Sequence, residues 1–295
     1  MRCVVYTVVV GDYDNLLPPI VVEEGVEYVA ITGSSDPAPP LPWARRPLLR
    51  TERNARMTSR WHKLHPHLLF PNHEVSLYLD GNVYLKAGVR TFIEKMSRTS
   101  PIALFRHADR VCAYEEAEVI KRYRLDDAEI VDTQMAYYRM LGFPEKLGLF
   151  TTGVQLRRHR DRALVDFVED WWRHLKAFSH RDQLSLNFML RRHGIEPAVI
   201  PGTTNCNDWF ATGPHRLHRT QCEGSNPCGA YDEVDWLRRV MILSARSERI
   251  GYNDAAKEVS WRAMELLRTA KRYLKRLTWR RPLSDNASDG RIERS

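Results

Sequence analysis

Along the first two hundred residues, short β-forming apolar runs alternate with longer stretches in which apolar positions recur every three or four residues. Cys3 to Val10 is a continuous apolar run that ends at Gly11-Asp12-Tyr13-Asp14, a first strand followed by a loop. Val26 to Thr32 reads as a second strand, and the Pro- and Ser-rich stretch from Ser34 to Pro47 as a loop. Arg50 to Leu69 has helical spacing, with Arg53, Arg56, Arg60 and Lys63 on one stripe. Glu74 to Leu85 climbs through apolar residues to Asp80-Gly81-Asn82 and then resumes. Helices are predicted over Gly88–Met96, Asp132–Leu141 and Ala163–Ala177, the last carrying Trp171 and Trp172. Another helix follows Ser179 and is stopped by Gly194. Short strands are predicted at Ile102–Phe105, Gly148–Leu156 and Ala198–Ile200. Alternation of this kind predicts an α/β domain over residues 1–200.

Beyond residue 200 the pattern changes. Residues 201–256 are polar, Gly-rich and irregular at first, the composition of a lid or acceptor-binding region that completes the domain. Residues 257–282 read as a basic amphipathic helix, and 283–295 as a disordered tail. The net charge of +8 is concentrated in that helix: nine Lys and Arg stand against two Glu between Lys257 and Arg281. The rest of the chain carries 36 basic against 35 acidic residues, so the body is neutral, which tells against a nucleic-acid substrate. The apolar face of residues 261–279 with its cations suits an anionic membrane surface, and equally a helix docked on the body. No apolar run approaches the ~20 residues that cross a bilayer. With no signal-peptide cleavage pattern, the expected location is cytoplasmic or peripheral on the inner face of the membrane. Five widely spread cysteines give no disulfide framework.

Four groups of residues carry candidate chemistry. Asp80 and Asn82 offer hard oxygen atoms suited to Mn²⁺ or Mg²⁺. The tip Asp80-Gly81-Asn82 reads either as the carboxylate-bearing end of a strand at the ligand-binding edge of an α/β sheet, or as a tight β-hairpin. The stripe ending in Arg60 and Lys63 is either a solvated face or a set of cations aimed at a phosphate. Arg106 to Glu118 crowds His107, Arg110, Glu115 and Glu116 together, although two acids there also suit the first turn of a helix. Asp182 sits where Ser179-x-x-Asp182 fits a capping box, or where a carboxylate at a helix start binds sugar hydroxyls.

In order, these segments resemble retaining glycosyltransferases of the GT-A fold, a Rossmann-like mixed sheet flanked by helices, particularly the glycogenin and galactosyltransferase-like group. The matching residues are Leu77–Asn82 and Asp182-Gln183-Leu184-Ser185-Leu186-Asn187. The chain is more closely similar to a glycosyltransferase-like domain-of-unknown-function family that includes plant mucilage-related proteins. Lys63–Pro71, Ser76–Val83, Arg106–Ala117 and Ser179–Gln183 carry that likeness, within about Tyr6 to Ile200.

The resemblance implies a metal-dependent hexosyltransferase, of retaining type, moving a sugar from a nucleotide-sugar such as a UDP-sugar to a hydroxyl of a saccharide or lipid-linked acceptor. The basic helix and the expected cytosolic donor pool point to surface polysaccharide or glycolipid synthesis. The resemblance makes Asp80 and Asn82 metal ligands; the third, a C-terminal His in the glycogenin-like group, has no matching motif here, which leaves His215 and His218 as candidates. It places Thr7, Gly11, Asp12, Tyr13, Arg60, Lys63 and Asp80 at the donor, and Asp182 and Gln183 at the reacting sugar. His107, Arg110, Glu115 and Glu116 fall in the donor or acceptor pocket. The tip is D-G-N where the related enzymes carry D-x-D, so one charge is missing. The rival readings are a non-catalytic binding or scaffolding module on the same fold, and a hydrolase that uses the same carboxylates with water.

Overall fold

The computed structural model describes residues 1–11, 14 and 16–213. Expectations for Asp12, Tyr13, His215, His218, the basic helix at 257–282 and the tail at 283–295 lie outside the described residues, as does most of 201–256. All the described residues belong to one compact unit, Met1–Tyr231.

A seven-stranded sheet forms the centre. Its strands, in spatial order, are β3 (Ala44–Pro47), β2 (Glu27–Thr32), β1 (Cys3–Val9), β4 (Val75–Leu79), β7 (Phe150–Arg157), β6 (Ile102–Arg106) and β8 (Ala198–Val199). Only β7 runs against the others, pairing antiparallel with β4 on one side and β6 on the other. The expected mixed α/β sheet is therefore present, and the chain alternates strand and helix as its pattern required.

The strands sort their side chains by a period of two. Val4, Tyr6 and Val8 face one apolar layer, which they share with α1 (Ala55–Leu64), α4 (Ala113–Arg122), α5 (Ala128–Met140), α6 (Arg162–Ala177) and α7 (Asp182–Arg192). Cys3 and Val5 face the other layer, closed by α3 (Arg90–Met96) and by a second sheet of β5 (Val83–Leu85) and β9 (Phe210–Thr212). All five residues of β4 are buried, as a central strand covered on both faces should be. Among the described residues no helix is long and apolar enough to cross a membrane.

Several boundaries differ from those predicted. The stretch 34–47 is not wholly loop, because Ala44–Pro47 pairs parallel with β2 as an edge strand. Its four residues include two arginines and no apolar alternation, so the strand has no signature, and Pro47 is tolerated because it lies on an edge. The helix predicted over Arg50–Leu69 is two pieces. Asn54 caps α1, its side chain accepting from the Met57 amide at 2.8 Å. The helix ends at Leu64, since Pro66 disfavours helical geometry at His65, and a short α2 (Pro66–Leu69) follows. The helix expected from Asp132 begins at Ala128, capped by Asp127. Phe210–Thr212 inside the irregular region is strand β9.

Candidate functional site

The Asp80-Gly81-Asn82 tip is not a hairpin. β4 and β5, which flank it, belong to different sheets: β4 pairs with β1 and β7, and β5 pairs with β9. Asp80 follows the last residue of a central strand, and its amide donates to the Gly153 carbonyl at 2.8 Å. The Val83 amide then donates back to the Asp80 carbonyl at 2.8 Å, which closes a tight turn. The carboxylate is thereby held at the C-terminal edge of the sheet with its side chain 30% exposed. A recess of about 400 Å³ lined by Arg2, Cys3, Val26, Glu27 and His73 lies at the opposite edge, where β1 and β2 begin.

The basic stripe of α1 turns inward as the helix proceeds. Arg53 and Arg56 are exposed, Arg60 is half-buried, and Lys63 is fully buried. The Lys63 ammonium lies 3.1 Å from Asp80 Oδ1 and 2.7 Å from Asp182 Oδ2. Arg60 Nη2 stands 3.5 Å from Asp182 Oδ1. The solvated-face reading therefore fails at Lys63, and both Lys63 and the half-buried Arg60 stand beside carboxylates at the sheet edge. Tyr78 donates its hydroxyl to Asp80 Oδ1 at 2.8 Å, and the Lys63 ammonium sits 4.8 Å from the Tyr78 ring centre. Burial, with the Asp80 charge beside it, pushes the Tyr78 hydroxyl well above its ordinary range, so it stays a donor.

The capping box expected at Ser179 and Asp182 does not form. The N-cap of α7 is Arg181, without a side-chain cap bond, and Asp182 is the first helical residue. Its carboxylate accepts from the Gln183 amide at 3.1 Å and otherwise turns to the two cations of α1. Burial alone would raise its pKa, but Arg60 and Lys63 overcome that and hold the carboxyl well below the usual carboxylate range. Asp182 is an ionised acceptor at every ordinary pH.

Lys63 is also gripped from behind. Its carbonyl accepts from the Tyr6 hydroxyl at 2.7 Å and from Arg157 Nη2 at 2.6 Å. Arg157 is 1% exposed and also donates to the Tyr6 hydroxyl at 2.7 Å. A buried guanidinium against the end of a helix complements the dipole there. Burial pulls the Arg157 pKa down, and burial likewise pushes the Tyr6 hydroxyl up to about 12. Nothing in the local sequence marks Tyr6, Tyr78 or Arg157 as part of a site, because each arrives from a separate strand.

Gly11 and Thr7, expected at the donor, lie on or just after β1. Thr7 is fully buried between β2 and β4, facing away from the solvent. Gly11 adopts a φ of +71°, which favours glycine, and its amide donates to Asp36 Oδ1 at 3.2 Å. Asp36 also accepts from the Gly33 amide at 2.7 Å, tying the loops after β1 and β2 together. Asp36 sits in the Pro-rich stretch and had no sequence signal beyond its turn chemistry. Gln183 is half-buried at the start of α7. Asn187, five residues after Asp182, anchors the helix to β7 by accepting from the Phe150 amide at 3.1 Å and donating to the Gly148 carbonyl at 3.0 Å.

His107, Arg110, Glu115 and Glu116 form a second group with its own partners. Arg110 Nε and Glu116 Oε2 are 2.5 Å apart, and Glu116 is 2% exposed. Glu115 accepts from the Val111 amide at 3.1 Å in the first turn of α4. His107 Nδ1 accepts from the Asp109 and Arg110 amides at 3.0 and 3.1 Å. Burial, then the nearby Arg110 charge, lowers the His107 pKa.

Whether these residues fit a divalent ion can be read from the tip. Lys63 and Tyr78 both occupy Asp80 Oδ1, which leaves Oδ2. Oδ2 faces Gly153, where a Cβ would stand 3.2 Å away, so the glycine keeps space open beside it. Asn82 is 8% exposed and its amide nitrogen donates to the Gly213 carbonyl at 2.8 Å; an amide nitrogen does not ligate a cation, so Asn82 could hold one only through its oxygen. Among the described residues no group of three or more His, Cys, Asp or Glu side chains converges. One carboxylate and one amide oxygen suit an ion that takes its remaining ligands from substrate phosphates and water, as Mg²⁺ commonly does.

Comparison with known proteins gives the family. No curated protein sequence matches the chain. Among solved structures it is similar to the WbbM bifunctional glycosyltransferase in apo form, at a TM-score of 0.40 and 10% identity over 67% of this chain and 38% of that one. It is similar to a glycosyltransferase involved in glycosylation of the major capsid of PBCV-1, at 0.40 and 16% over 80% and 99%. Mouse xyloside xylosyltransferase 1, in apo form, aligns at 0.42 and 10% over 66% and 84%. The chain thus spans well under half the length of WbbM. Residues 50–200 match the model of the TOD1/MUCI70 glycosyltransferase-like domain. That span begins just before α1 and ends just after β8, so it contains Arg60, Lys63, Asp80 and Asp182 together, and the chain belongs to the TOD1/MUCI70 glycosyltransferase-like family.

Proposed function

We propose that the chain transfers a hexosyl unit from a nucleotide-sugar to a hydroxyl acceptor, with retention at the anomeric carbon. The observation that carries this reading is the fully buried Lys63 ammonium, which joins Asp80 at the end of β4 to Asp182 at the start of α7. In the reaction the bond from the sugar C1 to the diphosphate oxygen breaks. A bond from C1 to the acceptor oxygen forms, and the hydroxyl proton passes to the departing diphosphate. Asp182, kept ionised by Arg60 and Lys63, accepts hydrogen bonds from sugar hydroxyls and fixes the ring, with Gln183 beside it. Holding the reacting carbon in place supplies rate by orientation.

Arg60, Lys63, Asp80 and Asp182 sum to no net charge, so the described site brings no surplus positive charge to a diphosphate. A Mn²⁺ or Mg²⁺ ion held by Asp80 and Asn82 would supply it, as a Lewis acid toward the leaving diphosphate. Lys63 then serves to orient Asp80 for that ligation. A hydrolase reading is disfavoured by the same geometry. Carboxylate pairs that cleave glycosidic bonds need one protonated member, whereas one ammonium here bridges both carboxylates and Asp182 is held ionised.

A thermal-shift screen of UDP-, GDP-, ADP- and CMP-sugars, each with and without Mn²⁺, tests the proposal. A ligand at ~100 times its dissociation constant stabilises by about 2.7 kcal/mol. One nucleotide class should stabilise the protein in a metal-dependent way, and Asp80→Ala should abolish the effect. No shift with any donor would overturn the proposal in favour of a non-catalytic module.

A further inference from the structure

The segment Ser179-His180-Arg181 delivers Asp182 to the site, yet what holds it lies elsewhere. Asp126, in the loop between α4 and α5, accepts from Ser179 Oγ at 2.6 Å, from the His180 amide at 3.1 Å and from His180 Nδ1 at 2.8 Å, all on Oδ2. Its other oxygen accepts from the Asp127 amide at 2.9 Å. Gln134 on α5 adds a second clamp, its Oε1 accepting from the Ser179 amide at 3.2 Å. Ser179 Oγ in turn accepts from the Arg181 amide at 3.2 Å, the residue next to Asp182. On its far side the His180 ring meets α1, with Arg56 Nη1 2.5 Å from Nε2. Asp126 and His180 are both largely buried, with side chains 9% and 14% exposed.

We infer that Asp126 is a positioning residue: through His180 and Ser179 it sets the start of α7 against α1, so that Asp182 meets Arg60 and Lys63. The chain of contacts runs Asp126, His180, Arg56, and Arg56 precedes Arg60 by one turn of the same helix. Since a guanidinium can only donate, His180 Nε2 must accept, and the proton resides on Nδ1 facing Asp126. A carboxylate that fixes an imidazole's tautomer also fixes its orientation. The catalytic part of this inference rests on the proposed transferase reading, because a small displacement of Asp182 matters for rate only if Asp182 holds the reacting sugar.

The test uses the full chain. Long-range proton–nitrogen correlation spectra of the imidazoles at neutral pH should show His180 protonated on Nδ1 and bare on Nε2. In Asp126→Ala the amides of residues 179–183 should exchange about tenfold faster or more, while the interior amides of α6 keep their protection. With the UDP-sugar that binds, kcat should fall about 10- to 100-fold while the donor KM stays within about threefold, the pattern of lost orientation. His180→Asn, whose amide nitrogen can reach Asp126 as Nδ1 does, should keep most of kcat, and His180→Ala should lose it. A wild-type His180 protonated on Nε2 would overturn the inference. So would unchanged exchange in Asp126→Ala, or equal loss in the two His180 variants should Asp126→Ala not fold. If the wild type turns over no nucleotide-sugar, the transferase reading fails, while the tautomer and exchange measurements still decide whether Asp126 sets the turn.

Discussion

Two stretches of this chain are dense in charged residues, and the structure treats them in opposite ways. Arg106–Glu118 holds His107, Arg110, Glu115 and Glu116 within a dozen positions, and those groups find local partners: Arg110 with Glu116, Glu115 with the Val111 amide, His107 with the Asp109 and Arg110 amides. Arg60, Lys63, Asp80 and Asp182 are spread over more than a hundred positions, and they converge at one sheet edge. Close spacing lets titratable groups serve local structure, as caps and first-turn ion pairs. Convergence from separate elements needs the whole fold to maintain it, and that makes it the better mark of a functional site.

The largest effect that would test this contrast is loss of the buried cation. Lys63→Met leaves Asp182 buried with Arg60 alone, and should lower unfolding stability by about 3–5 kcal/mol in chemical denaturation. Combining it with Asp182→Asn should recover part of that loss; no recovery would show that the pair is not coupled. Asp182→Asn alone keeps the shape but removes the charge, and should cut donor turnover by about 10²–10³-fold, a size expected for one well-aimed electrostatic group. A variant with near wild-type turnover would remove Asp182 from the site.

Acid titration sharpens the picture in two windows. Burial lowers His65, His159 and His174 to about 4, so the folded protein prefers them neutral. Their contribution is full above about pH 6.5 and is lost as pH falls toward 4, because the unfolded chain takes up protons first. Asp126 behaves as a carboxylate with a depressed pKa. Burial would raise it, but the bonds from His180 and Ser179 hold it at about 2. Its contribution, on the order of 2 kcal/mol, is present above about pH 4 and lost as pH falls toward 2. Replacing His174 with Phe should shrink the first window by about a third, leaving the part due to His65 and His159, and leave the second unchanged.

Smaller effects belong to the second charged stretch. Glu116→Gln should cost about 1–3 kcal/mol of stability, since Arg110 loses a nearly buried partner, and should leave donor affinity within about twofold. A tenfold loss of donor affinity would place that group in the pocket and break the contrast. Glu115→Gln, at the exposed first turn of α4, should change stability by less than about 0.5 kcal/mol.

By itself the sequence determined the architecture's skeleton. Runs such as Cys3–Val9 and Val75–Leu79 read as buried strands, and the periodicity of Arg162–Ala177 with Trp171 and Trp172 as a helix with one face packed on the body. The motif blocks also brought Lys63, Asp80 and Asp182 forward as candidates. Local pattern did not reveal β3, because an exposed edge strand needs no apolar alternation, nor the break at His65, which Pro66 imposes within a continuous helical period. It could not choose between hairpin and strand end at Asp80, since both place Asp-Gly after an apolar run. Only the tertiary structure decided that, by sending β4 and β5 into different sheets. It alone also brought one buried and one half-buried cation of the basic stripe onto one carboxylate, and gave Asp126, Tyr6 and Arg157 their roles. The physical reason is common to all of these. An apolar period is written in neighbouring residues, whereas an ion pair between Lys63 and Asp182 exists only once the strands and helices between them have packed.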